Sequence, residues 1–175
     1  IDRPDPMDCK WQVQMDMGGT VDKTVAQLMT HDFYHDIDWV RHEKVFDANT
    51  PTSVIVESLR EWERAYSPTS RVADCAGQTQ IDLNQDHRYS VVSPQKSDWQ
   101  ASVNMMVARF AQDKVLIHPE CRFTIQSLES GRLSRTRKDF ERTAVLGHCD
   151  ALAALMYGVR CVDRTSPYPQ GMGSP

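Results

Sequence analysis

At 175 residues and 20.0 kDa the chain has the size of one compact domain. Its composition is 40% hydrophobic and 25% charged, ordinary for a globular protein; its longest apolar stretch, residues 151–162, is too short and too interrupted to span a bilayer, and residues 1–10 are charged and proline-bearing, unlike a signal peptide. Twenty Lys+Arg against 24 Asp+Glu give a net charge of −4, which excludes a polycationic DNA coat but not DNA binding through a local basic cluster.

In chain order, residues 1–10 carry Pro4 and Pro6 without periodicity and read as a linker entering the domain. That start, which lacks an initiator Met, fits a piece of a longer protein. Residues 11–17 alternate: Trp11, Val13, Met15 and Met17 face one way, Gln12, Gln14 and Asp16 the other, a side that could simply face water. Gly18-Gly19 supplies a turn, and residues 24–30 read as a second strand. Residues 36–47 hold enough β-formers (Ile37, Trp39, Val40, Val45, Phe46) for a third, placed near a sheet edge by its charges.

Thr50-Pro51 matches an N-cap followed by Pro at the first helical position, and Ile55, Leu59, Trp62 and Tyr66 predict an amphipathic helix over 51–66 that Pro68 ends. Residues 71–76 and 89–93 read as short strands. Ser97 and Gln100 form a capping box before a helix marked by Trp99, Val103, Met106, Val107 and Phe110. A brief strand at 115–118, a helix over 119–130 ended by Gly131, an irregular or hairpin-like charged stretch at 132–147 and an apolar helix over 150–162 follow. Residues 165–175, rich in Pro and Gly, have the composition of a frayed tail. The order predicts a mixed α/β sheet with helices on both faces, its ordered part spanning residues 11–164.

Cys9, Cys75, Cys121, Cys149 and Cys161 are odd in number and form no C-x-x-C pair. They read as reduced thiols of a cytosol-like compartment rather than as disulfides or a structural zinc site. Cys75 and Cys149 adjoin acids, which raise a thiol's pKa instead of activating it. No Ser-His-Asp signature and no G-x-x-x-x-G-K-[ST] phosphate loop is present, so ATP hydrolysis is not expected of these residues.

Three carboxylates interrupt apolar elements: Asp16 at the end of the first strand, Asp74 within Val72-Ala73-Asp74-Cys75-Ala76, and Asp150 at the start of the most apolar helix. Acids near a core are unfavourable unless paired, protonated or bound to a cation. Each also has an ordinary explanation: Asp16 as solvent-facing, Asp74 as a turn former, Asp150 as an N-cap. The set is more specific than its members, because the βββ-α-β order places strand one beside strand four. A hard divalent cation would relieve the repulsion among acids so gathered.

This arrangement resembles the ribonuclease H-like nuclease fold, a mixed central β-sheet (an antiparallel three-strand meander plus parallel strands) flanked by α-helices. The segment from His148 to Tyr157, HCDALAALMY, is similar to the H-x-D-A-x-x-A-L-x-Y segment of the large terminase subunit of tailed double-stranded DNA viruses. Gln14–Thr24 resembles that family's Asp-x-Gly strand and turn, and Val72-Ala73-Asp74 followed by Ser93-Pro94-Gln95-Lys96 fits its middle. The resemblance implies a two-metal endonuclease using Mg²⁺ or Mn²⁺, with Asp16, Asp74 and Asp150 as catalytic metal ligands and Asp22 as a fourth candidate. It also implies a water-positioning or proton-shuttling role for His148 and a phosphate- or carboxylate-steadying one for Lys96.

Arg132, Arg135, Arg137, Lys138 and Arg142 lie within eleven residues and lead into His148 and Asp150. They are the candidate DNA-phosphate contacts, non-specific and salt-sensitive, although charged runs are often only solvated loops. The resemblance further implies double-stranded DNA as substrate, a preceding packaging ATPase domain, portal and small-terminase partners, no membrane, a monomeric isolated domain and assembly in the host cytoplasm. Two other readings stay open: another ribonuclease H-like nuclease (a junction resolvase or hybrid ribonuclease), or a catalytically inactive DNA-binding or docking domain.

Overall fold

The computed structural model describes residues 9–18, 20–94, 96–136, 140, 141, 143 and 149–165. Among these, β1 (Cys9–Asp16), β2 (Thr24–Asp32), β3 (Ile37–Phe46), β4 (Ser70–Asp74) and β5 (Val115–Ile117) form one sheet in the order β4-β1-β2-β3-β5. β1, β2 and β3 are the expected antiparallel meander, and β4 and β5 join its two sides in parallel. The helices are α1 (Thr52–Tyr66), α2 (Gly77–Ile81), α3 (Trp99–Ala111), α4 (Arg122–Ser130) and α5 (Asp150–Cys161), with a π-helical turn at Asp82–Asp86 continuing α2. No described helix is long and apolar enough to cross a membrane.

The two faces of the sheet carry separate apolar cores. Val13, Met15, Ala26, Leu28 and Ala73 pack under Ile55, Val56, Leu59 and Trp62 of α1. Met29, Val40 and Val72 pack under Val103 and Met106 of α3 and Leu155, Met156 and Val159 of α5. Period-two alternation on the strands and period-3.6 spacing on α1 and α5 therefore put a greasy stripe on each side of the sheet.

Several expectations change. Gln12 and Gln14 do not face water: they are 3% and 0% exposed beneath α5. The Gln12 amide donates to the Gly158 carbonyl (2.9 Å), Gln14 Nε2 to Gln27 Oε1 (3.3 Å), and Gln27 Nε2 to Thr124 Oγ1 (2.7 Å) and the Ala151 carbonyl (3.0 Å). Side-chain amides survive burial here because their donors reach partners on α4 and α5.

Strand β3 lies near an edge as expected: β5 pairs beyond it, but only over Asp38–Val40. One of its charges, Asp38, is fully buried among His31 Nδ1 (2.8 Å), Arg109 Nε (2.7 Å) and Arg164 Nη2 (2.6 Å). These partners hold its carboxyl below the ordinary range although burial opposes them. Residues 89–93 make only a single parallel bridge, Val92 to Val72, rather than a strand. The cap of α3 is Asp98, which accepts from the Ala101 N–H (2.9 Å), not Ser97. β1 begins at Cys9, and Lys10 pairs with Asp163 at 3.1 Å.

Candidate metal centre

β1 and β4 run parallel in a register that sets Asp16 opposite Asp74, each the last residue of its strand. Parallel strands carry their side chains in step, so the two carboxylates meet on one face at one end of the sheet. It is the face that α5 covers, because Gln12, Gln14 and Asp16 alternate on it and the Gln12 amide reaches Gly158.

α5 brings the third acid. Its first residue, Asp150, is 2% exposed. The residue before it, Cys149, takes a left-handed conformation (φ 61°, ψ 45°) and occupies the N-cap position, so Asp150 is a first-turn residue and not the cap. A carboxylate in that turn is favoured by the helix dipole, while the left-handed non-glycine residue is a strained junction.

The electrostatics tie the three together. Asp16 has its carboxyl held well above the ordinary carboxylate range, first by burial, then by the charges of Asp150 and Asp74. Lys96 opposes this and Asp22 adds a further small push in the raising direction. Lys96 Nζ stands 2.5 Å from Asp74 Oδ1. Asp22 comes near because the chain folds back tightly after β1: a Cβ on Gly18 would lie 2.3 Å from the Lys23 carbonyl oxygen and 2.4 Å from the Asp22 carbonyl carbon. The Asp22 N–H donates to the Gly18 carbonyl at 3.3 Å.

This end of the sheet thus gathers carboxylates around one ammonium and is short of positive charge. An all-oxygen donor set of this kind suits hard cations such as Mg²⁺ or Mn²⁺. Among the described residues no three His, Cys, Asp or Glu side chains are grouped tightly enough to enclose one ion. The thiol beside the cluster is unsuited to nucleophilic work. Burial and the charge of Asp74 push Cys75 above its ordinary value, and burial pushes Cys121 up to about 12.

The basic stretch is described in part. Arg132 and Arg135 are exposed. Leu133 pairs antiparallel with Phe140, and the Glu141 N–H donates to the Arg132 carbonyl at 2.7 Å, so the stretch has a hairpin-like stem. Phe140 packs with Cys149 and Leu152, which seats that stem against the start of α5 beside Asp150. Arg137, Lys138, Arg142 and His148 lie outside the described residues.

No protein-family model and no curated protein sequence matches the chain. Solved structures do. The large terminase of a thermophilic bacteriophage superposes with a TM-score of 0.72 at 16% identity, over 91% of this chain and 40% of that one. The large terminase nuclease of the thermophilic phage G20c, with bound magnesium, gives 0.68 at 16% identity, over 89% of this chain and 83% of that one. The large terminase nuclease domain of bacteriophage SPP1, with bound Mn, gives 0.65 at 13% identity, over 86% and 85%. The chain spans about 40% of the length of the first of these proteins and most of the two nuclease domains. The mixed five-stranded sheet with helices on both faces is the ribonuclease H-like fold, in the form that large-terminase nuclease domains take.

Proposed function

We propose that this chain is the divalent-metal-dependent nuclease domain of a viral large terminase, with residues 11–164 as the nuclease unit, cutting double-stranded DNA with little sequence preference. One observation carries the reading. The parallel register of β1 and β4 pairs Asp16 with Asp74, and Asp150 from α5 is near enough for its charge to raise the Asp16 pKa. Acids converging from three elements are a poor way to build a stable core and a good way to bind cations. The ions bound in the G20c and SPP1 nuclease structures, magnesium and Mn, support the same metals here.

In this reading Asp16, Asp74 and Asp150 would together hold two Mg²⁺ or Mn²⁺ ions, with Asp22 as a further candidate ligand. Bound there, such ions would supply activation of a water and charge stabilisation of the leaving 3′ oxygen. The chain's own groups do the rest. Asp16, at the end of a strand paired on both sides, is a rigid ligand. Lys96, paired with Asp74, offers a charge to the phosphate. His148 positions water or carries a proton. Arg132, Arg135, Arg137, Lys138 and Arg142 grip backbone phosphates without reading bases. A preceding ATPase domain, the portal and the small terminase subunit are the partners proposed for the whole protein, acting in the cytoplasm of the infected host.

The test is incubation with supercoiled plasmid in Mg²⁺, Mn²⁺ or EDTA, beside Asp74→Asn. The expected result is divalent-dependent nicking and linearisation, reduced on the order of 100-fold or more in the variant. A wild-type chain that is folded by circular dichroism yet cuts in neither metal would overturn the reading.

A further inference from the structure

On the other face of the sheet, a surface cavity of about 340 Å³ is walled by Arg60 and Arg64 of α1, Arg71 of β4, and Arg88, Tyr89 and Ser90. The acid on its wall, Glu63, is taken by Arg71 through Nε (2.6 Å) and Nη2. The neighbouring Glu61 is engaged by Lys44 at 2.5 Å. Arg60, Arg64 and Arg88 are exposed at the rim, and Arg60 is oriented by its bond to the His87 carbonyl (2.8 Å). Tyr89, 4% exposed, lies under Arg71 with its ring centre 5.4 Å from the guanidinium carbon. A concave wall of guanidinium groups around a nearly neutralised acid is built for a multiply charged oxyanion.

Its position says which one. From Arg88 the chain runs along the outer side of β4. The Val92 N–H donates to the Arg71 carbonyl (2.9 Å), the Val92 carbonyl accepts from the Ala73 N–H (3.0 Å), and the segment reaches Lys96 at Asp74. One covalent segment therefore joins the arginine cavity to the acid cluster around the sheet edge. The steps from Arg88 to Lys96 span at most about 29 Å, less than one turn of B-form DNA at about 34 Å. The two sites thus lie within one helical turn of each other for a duplex running along this edge.

We propose that the cavity of Arg60, Arg64 and Arg88 is a second phosphate-binding subsite, gripping the DNA backbone within one helical turn of the acid cluster. It rests on the nuclease reading for the choice of DNA as the phosphate source. Of the two macromolecular occupants that suit such charge, DNA is favoured over an acidic protein segment by the direct connection to Lys96 and Asp74.

The experiment titrates the chain into a fluorescent duplex of about three helical turns in EDTA across a salt series, beside the double variant Arg64→Gln/Arg88→Asn. Arg88 has φ 51°, a conformation Asn tolerates, so the fold is kept. The salt dependence is expected to become shallower by about 1–2 in log K against log salt, since each phosphate contact contributes about 0.9. At low salt the affinity should fall by roughly 5-fold or more. An unchanged slope and affinity overturns the subsite, as does a wild type without duplex affinity. A double variant that keeps DNA but loses a poly-glutamate probe overturns it in favour of an acidic protein partner. Plasmid cutting separates the two readings. A wild type that does not cut, with the slope still lowered by the double variant, removes the nuclease and leaves the subsite. A wild type that cuts, with a double variant identical to it in binding, removes the subsite alone.

Discussion

Gly158 leaves no room for a methyl group beside Gln14: a Cβ there would lie 2.4 Å from Gln14 Cδ and 2.7 Å from Nε2. Both ends of that contact are fixed. Gln14 is fully buried and bonded to Gln27, and the Gly158 carbonyl accepts from Gln12. The close approach seats α5 on β1, and that seating sets Asp150 near Asp16.

Alanine in place of a helical glycine ordinarily stabilises by about 0.5–1 kcal/mol. Here the sign reverses. Gly158→Ala must displace a side chain locked among buried hydrogen bonds, an overpacking of about 1–3 kcal/mol. We expect Tm to fall by several degrees and plasmid cutting to fall with it, because α5 shifts as a unit. A raised Tm on thermal unfolding would show that α5 is seated otherwise.

Much of this is legible in the sequence because period-two and period-3.6 patterns are written in apolar residues. Those patterns place β1, β2 and α1 to within two residues, as the core on the α1 face consists of the same repeats. The glutamine-bonded face reads wrongly, because Gln12, Gln14 and Asp16 look like a wet side until the apolar helix 146 residues away is known to cover it. α2 and its π-turn escape because Gly77–Asp86 buries only Leu83 and carries no apolar period. For the candidate site, the acids can be picked out because each breaks an apolar run, and strand order places the strand of Asp16 beside that of Asp74, while the register that pairs them is seen only in the structure. The arginine cavity cannot, since its walls come from three segments, with Arg60 and Arg64 on the outer face of α1 and Arg88 at a left-handed position.

Asp16 carries the electrostatic tension of the cluster, from burial and from two like charges. Replacing it with Asn removes the charge while keeping the shape. In EDTA, Asp16→Asn should therefore be more stable than the wild type at neutral pH, on the order of 1 kcal/mol or about 2–4 °C in Tm. Adding Mg²⁺ or Mn²⁺ at about 10 mM should raise the wild-type Tm and leave the variant's nearly unchanged, since a ligand stabilises only the state that binds it. Equal divalent shifts in both proteins would mean that Asp16 does not hold the ion.

At the opposite end of β1, Asp163 ties the chain after α5 to the first strand. It accepts from the Thr165 hydroxyl (2.6 Å) and N–H (2.9 Å), and Lys10 Nζ stands 3.1 Å away. These bonds, the Thr165 pair first and Lys10 after, lower its carboxyl from 3.8 to about 2. A carboxyl with a depressed folded-state pKa binds fewer protons folded than unfolded between those two values, so stability rises with pH across that window. Its contribution is thus complete above about pH 4 and disappears as the pH falls toward about 2. The group is partly exposed, which keeps that contribution below about 1 kcal/mol. Asp163→Asn should unfold about 1–3 °C lower than the wild type at neutral pH, and the two Tm curves should converge by about pH 2. A Tm difference that persists unchanged in that acid limit would place the loss in packing around α5's end, not in the charge that Thr165 and Lys10 hold.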